Sequence, residues 1–107
     1  MLKTVNKVWG REKWIVNCPD YCGKLLLVHK GASSSLHYHP KKKETFYVLE
    51  GKARLTVGNK EVSTPITIEP NTPHRFYGIT DTVILEVSTF HSDDDVVRME
   101  ESQGASI

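Results

Sequence analysis

The sequence predicts an all-β fold, a sandwich or barrel. Short runs rich in β-branched and aromatic residues recur along the chain, turn-forming residues punctuate them at regular intervals, and no convincing helical pattern is visible. Taken in order, the runs are KWIVN, GKLLLVHK, SSLHYH, ETFYVLEG, ARLTVG, PITIEP, HRFYGI and TVILEVST. VLEGKARLTVGNKEV reads as a pair of hairpins, the second turning at Gly58-Asn59, where positive φ is tolerated. Pro65, Pro70 and Pro73 bracket ITIE and belong at strand ends or in turns, because proline cannot donate to a central ladder. From about Ser92 the chain turns polar and acidic, and ESQGASI reads as a loose tail.

The 107 residues suit one domain, 1–107, with 92–107 as its polar C-terminal segment. Fourteen basic and thirteen acidic side chains leave a net charge of +1, which gives no global case for nucleic acid or an anionic membrane. Any anionic partner must be held locally. The opening MLKTVNKVWG lacks the apolar core of a signal peptide, and no run approaches the roughly 18 apolar residues of a membrane span, so the expected location is the cytoplasm. Cys18 and Cys22 do not have zinc-knuckle or thioredoxin-like spacing and read as reduced thiols.

The chemistry concentrates in HYHPKKKE. On a strand, alternate side chains share a face, so His37 and His39 point the same way with α-carbons about 6.6 Å apart. Pro40 to Lys43 supplies a turn, after which Glu44 is expected to open a strand beside the first and return a carboxylate to the imidazoles. His74, opening a later strand after EPNTP, can face the same interior. Such a set suits a divalent transition metal, Mn, Fe, Co, Ni or Zn, with two octahedral positions left for water or substrate. Paired histidines on a strand also occur as surface or satisfied core residues, and their spacing alone does not separate the two readings.

Gly31, His37, His39, Glu44 and Gly51 resemble the first motif of the cupin superfamily at every spacing, and PNTPHRF resembles the second, without its usual glycine and with a shorter approach to the histidine. The resemblance implies a double-stranded β-helix, or jelly-roll, barrel with the metal held inside by His37, His39, Glu44 and His74. Narrower features are similar to the cupin domain of type II mannose-6-phosphate isomerases, a domain often fused to mannose-1-phosphate guanylyltransferase. KVWGREKWIV resembles that family's PWG strand, SSLHYHPKKKETFYVLEG its SLQxHxxRxEHWxVxxG segment, and LEVSTFHSDDDVVRMEE its IEVQxGxxxxEDDIVRxED segment. The chain departs by carrying His37 where the family has glutamine and Phe46 where it has tryptophan.

The family resemblance implies a metal-dependent sugar-phosphate isomerase, interconverting aldose and ketose through an enediolate. The reaction needs a general base, and Glu86 in VILEV matches the family's IEVQ; burial would raise its pKa, whereas strict alternation with Leu85 and Val87 would turn it outward. Arg75 and Arg98 are candidates for a phosphate, Arg98 alternatively pairing with Asp93 to Asp95. Lys41 to Lys43 read as a solvated hairpin tip, or else as a rim that steers an anionic sugar. His29 and Tyr47 sit in strands near the proposed site as contact or packing residues, Trp9, Trp14, Phe46, Tyr77 and Phe90 read as core or interface, and His91 is given no role.

Small cupins resembling this one are commonly homodimers. Competing functions are an Fe(II)-dependent dioxygenase, since the same ligand set leaves adjacent sites for substrate and oxygen, and a non-catalytic module binding a carbohydrate or nucleotide sugar. In every case the partner is a small molecule, a sugar or sugar phosphate in the isomerase reading.

Overall fold

The computed structural model describes residues 2–105, and its strands are β1 (Lys3–Lys7), β2 (Gly10–Asn17), β3 (Cys22–Val28), β4 (Leu36–Tyr38), β5 (Glu44–Glu50), β6 (Ala53–Val57), β7 (Lys60–Val62), β8 (Ile66–Ile68), β9 (His74–Gly78), β10 (Thr82–Ser88) and β11 (Val97–Glu100). No helix forms among the described residues, and so none is long and apolar enough to cross a membrane. The strands make two antiparallel sheets, one in the order β1-β2-β3-β10-β5-β8 and the other β11-β4-β9-β6-β7. Their inner faces pack together as a jelly roll.

Each run identified in the sequence contains a strand. β1 and β11 escaped because they are outermost in their sheets and almost wholly exposed, so neither alternates apolar with polar residues. Of the two expected hairpins, β6 and β7 pair around Gly58-Asn59, where Gly58 takes φ 64°. The other does not form. β5 lies in the first sheet and β6 in the second, so Gly51-Lys52 is a corner that carries the chain between sheets. Gly51 has φ 80°, and a Cβ there would drive into the Asp81 carbonyl, so the corner requires glycine.

A second correction bears on the site. β5 does not lie beside β4 but in the opposite sheet, so the PKKK turn delivers Glu44 across the barrel to face the histidines. The expected loose tail is also held, because Ser33 and Gln103 exchange both backbone hydrogen bonds at 2.9 and 3.0 Å, and Arg75 donates to the Glu100 carboxylate and the Glu101 carbonyl. Backbone pairing of this kind leaves no mark in side-chain pattern. Ser106 and Ile107 lie outside the described residues.

Inward positions along the central strands sort the barrel into two ends. Leu26 and Val28 of β3, Ile84 of β10, Phe46 of β5, Ile68 of β8, Leu55 of β6 and Phe76 of β9 form the apolar core, closed by Trp9 edge-on to Phe76 at 4.9 Å. One pleat repeat further along the same strands, the inward residues become Lys24, Glu86, Glu44 and His74, all buried. Register sets Glu86 directly opposite Lys24 on one side and Phe46 on the other. The hydrophobic half closes the fold, and the charged half lines a cavity of about 390 Å³.

Candidate metal centre

His37 on β4 and His74 on β9 are directly paired across adjacent antiparallel strands, and His39 follows β4 with its ring on the same side. The three rings each offer one nitrogen, and those nitrogens all lie within 4.8 Å of one another. From the opposite sheet, Glu44 brings Oε2 to 3.2 Å from His39 Nε2 and 3.0 Å from His74 Nε2. The carboxylate makes no such contact with His37, which is the most exposed of the three imidazoles.

The outer nitrogens fix what the inner ones can do. His39 Nδ1 is 2.7 Å from the Asp95 carbonyl, His74 Nδ1 is 2.9 Å from the Thr72 carbonyl, and His37 Nδ1 is 2.9 Å from the Ser35 carbonyl. A carbonyl only accepts, so each Nδ1 carries the hydrogen and each neutral ring turns the lone pair of Nε2 inward. This is the tautomer a metal requires.

His74 Nε2 and Glu44 Oε2 are accordingly two acceptors facing each other, both buried and without a hydrogen-bond partner. Leaving them so is costly, and only a shared proton or a cation resolves it. A divalent metal ion fits this arrangement, since three neutral imidazoles and one carboxylate are a donor set for Mn, Fe, Co, Ni or Zn. Burial opposes ionisation of Glu44, but hydrogen bonds from His39 and His74, made when the shared proton sits on an imidazole Nε2, and the Lys42 ammonium outweigh it and hold the carboxyl well below its usual range. Burial, followed by the neighbouring His74 and His39, pushes His37 down to about 3.

The surrounding turns serve this geometry. Asn71 takes φ 65°, supplying the left-handed residue at a turn that lacks the usual glycine, and its N–H donates to the His39 carbonyl at 2.8 Å. Asp95 binds the HYHPKKKE turn at three points: its carbonyl receives His39 Nδ1–H, and its carboxylate receives the N–H groups of Lys41 and Lys42, both at 2.9 Å. The acidic C-terminal segment is thus part of the site.

Beyond the histidines lies a second group. Lys41 and Lys43 are exposed, as a solvated tip should be, but Lys42 turns inward and is buried, overturning that reading of the run at its middle residue. Its Nζ lies 3.3 Å from Glu86 Oε2, 3.8 Å from Glu44 Oε1 and 3.1 Å from His91 Nδ1. Glu86 also faces inward and is buried, contrary to the outward reading, because alternation puts Glu86 on the core face with Ile84 while Leu85 and Val87 point out. Burial raises its pKa and the Lys42 ammonium opposes the rise.

Other expected residues separate. Arg98 lines the cavity and makes no ion pair with the acidic run among the described residues, whereas Arg75 does not line it and donates to Ser34, Glu100 and Glu101. His29 and Tyr47 also lie away from this cavity. Trp9, Trp14 and Phe46 line it, while Tyr77 stacks under Arg54 and Phe90 is exposed. Lys24 and His91 are among the cavity-lining residues to which sequence reading gave no role, and Lys42 was read only as part of a tip or a rim. For Lys24 the signal was present, since it alternates inward with Leu26 and Val28; for His91 there was none.

Residues 24–90 match the Cupin domain family, more than half of the chain. This chain belongs to the cupins. Over 95% of its length it is 28% identical to mannose-1-phosphate guanylyltransferase RfbM of Salmonella typhimurium, of which it spans 23%. Among solved structures the cupin fold is shared with KdgF from Halomonas sp., at 16% identity and TM-score 0.76 over 86% of this chain and 89% of that one. Streptomyces PAC13, described as a nucleoside dehydratase, aligns at 17% identity and TM-score 0.77 over 94% of this chain and 86% of that one. A variant of Bacillus subtilis oxalate decarboxylase OxdC aligns at 17% identity and TM-score 0.78 over 92% of this chain and 30% of that one. Relatives named for such different reactions leave the chemistry of this cupin to its own residues.

Two outcomes follow from the centre's geometry. Elemental analysis should find one divalent metal per chain in the wild type and none in His74→Ala, while His37→Gln, which removes one imidazole donor, retains metal with an affinity lowered by at least the roughly 10- to 100-fold that loss of an outer partner of a ligand costs. Second, metal-free protein should lose stability as pH falls. The unfolded chain protonates His37 near 6.5 and the folded chain only near about 3, so the stabilisation is complete above pH 6.5 and declines below it. Thermal melting from pH 7 to 4 should show this, with a shallower slope in His37→Gln.

Proposed function

We propose that this cupin is a metal-dependent isomerase of a sugar or sugar phosphate, of the mannose-6-phosphate isomerase kind. The observation that carries the reading is the juxtaposition, in one cavity, of a donor set fit for a divalent metal and a separate buried carboxylate, Glu86, whose pKa burial raises, the direction a general base needs. The resemblance to RfbM, a protein named for a mannose phosphate, supports the substrate class.

His37, His39, Glu44 and His74 would hold the metal, which supplies, when bound, a Lewis acid for the substrate carbonyl. Glu86 takes the proton from the carbon next to the carbonyl and returns it to the former carbonyl carbon, while a hydroxyl proton passes between the two oxygens. Lys42 keeps the Glu86 carboxylate in place through the 3.3 Å ion pair. Lys24 and Lys42 stand in the cavity against Glu12, Glu44 and Glu86, and a divalent cation beside these carboxylates would make the interior more receptive to an anionic sugar. Arg98 of β11 and Lys3 and Lys7 of β1, exposed residues that line the cavity, would meet a phosphate. Arg75 has no part in this proposal, its guanidinium being held by Ser34, Glu100 and Glu101.

Self-association belongs to the same reading. The outer face of the first sheet presents Tyr47, Leu49 and Val87 exposed beside Leu25 and Leu85, an apolar surface that a second copy would cover to make the homodimer.

Metal-loaded protein should convert mannose 6-phosphate to fructose 6-phosphate, and a chelator should abolish the conversion. Glu86→Gln should lower kcat by about 10²- to 10⁴-fold without loss of metal. Inertness of the metal-loaded wild type towards a panel of aldose and ketose phosphates would contradict the reading; oxygen uptake with Fe(II) would replace it with the dioxygenase, and sugar binding without turnover with the binding module.

A further inference from the structure

His91 carries no part of the metal centre, yet its ring is held on three sides in the cavity wall. Its N–H donates to Asn17 Oδ1 at 2.9 Å and its carbonyl receives Asn17 Nδ2 at 3.0 Å, which pins the backbone of an otherwise irregular segment to the end of β2. The ring meets the Trp14 indole edge-on, with centroids 5.2 Å apart and planes at 82°. Its Nε2 lies 2.9 Å from Asp93 Oδ1, and its Nδ1 lies 3.1 Å from Lys42 Nζ.

The two ring contacts assign one another. An ammonium only donates and a carboxylate only accepts, so the ring is neutral, with its hydrogen on Nε2 directed to Asp93 and its Nδ1 lone pair directed to Lys42. Burial and the nearby Lys42 and Lys24 ammonium groups lower the pKa of His91, in keeping with this form. Lys42 reaches the cavity on a flexible four-carbon stem, and an ammonium so placed has three hydrogens to direct. Glu86 takes one hydrogen at 3.3 Å while Glu44 attracts the ammonium from 3.8 Å, and a lysine held by carboxylates alone could swing between them. The imidazole supplies an uncharged anchor, the second hydrogen bond to the ammonium.

We propose that His91 is a positioning residue, which locks the Lys42 ammonium against Glu86 and so fixes the orientation of the carboxylate that the isomerase reading uses as its base. The inference rests on that reading for its catalytic consequence, but its structural content does not. Asp93 acts through His91 by holding the ring's tautomer, although the Asp93 carboxylate is itself 90% exposed.

The test uses the full-length, metal-loaded protein. In ¹H–¹⁵N spectra selective for lysine ammonium groups, a buried ammonium with two hydrogen bonds and a further ion pair should exchange slowly enough to be seen, and Lys42→Met assigns its signal. The signal should disappear in His91→Ala, persist in His91→Gln, whose amide oxygen can take the same hydrogen, and broaden in Asp93→Asn, a change at an exposed carboxylate that leaves the ring itself in place. Metal content should be the same in all of these His91 and Asp93 variants. With a sugar phosphate as substrate, kcat should fall about tenfold in His91→Ala with KM within about twofold, and recover in His91→Gln, the pattern of a lost orientation and not of lost binding. An unchanged Lys42 signal in His91→Ala, or loss of metal from that variant, overturns the inference. Absence of turnover in the wild type would overturn the isomerase reading while the ammonium spectra still decide the role of His91.

Discussion

The constraint on which the site depends is a meeting of acceptors. Three histidines donate Nδ1–H to backbone carbonyls of Ser35, Thr72 and Asp95, and so have only lone pairs to turn inward, where the Glu44 carboxylate faces two of them at 3.0 and 3.2 Å in a buried pocket. Four electron-rich atoms do not converge away from water without a cation or a proton among them. The fold is arranged to bring this about: His37 and His74 are register partners on neighbouring strands, His39 comes two residues after His37, and Glu44 crosses from the opposite sheet. The apolar end of the barrel, from Leu26 and Ile84 to Phe76, holds the sheets at the spacing that permits it.

Charge elsewhere in the cavity follows from the same polarity division along the strands. Lys24, Glu44 and Glu86 occupy inward positions that would be filled by leucine or isoleucine in a uniformly apolar barrel, and Lys42 is folded in from a turn. Buried charges survive only when paired, and here they are paired with each other: Lys24 with Glu12 at 3.5 Å, and Lys42 with Glu86 and Glu44. Retaining them in place of hydrophobic packing is a cost to stability that a functional cavity explains.

Legibility in the sequence was uneven, for physical reasons. The strands with one buried face, the metal-ligand candidates and the two motif glycines were all readable, because a two-residue alternation and a fixed spacing are local properties. Sheet membership was not. The chain's turn at Gly51 looks the same whether it closes a hairpin or rounds a corner, and β1 and β11 pair through their backbones with side chains that carry no apolar stripe. The inward turn of Lys42 is set by Asp95, over fifty residues away, which binds the backbone of that turn. Three consecutive lysines give no sign of which one will be buried. Glu86 was misjudged for a simpler reason, since its apolar neighbours Leu85 and Val87 suggested that they, and not it, faced the core, whereas they cover the outer face of the sheet.

The claim that everything else rests on is that the inward nitrogens and the Glu44 carboxylate together hold one metal ion. X-ray absorption at the zinc edge of the zinc-loaded protein tests it directly. The account predicts one zinc per chain with imidazole scattering from three rings at roughly 2.0–2.1 Å and carboxylate oxygen at a similar distance. Zinc bound without imidazole scattering, or a protein that takes up no metal while its fold is intact, would contradict it.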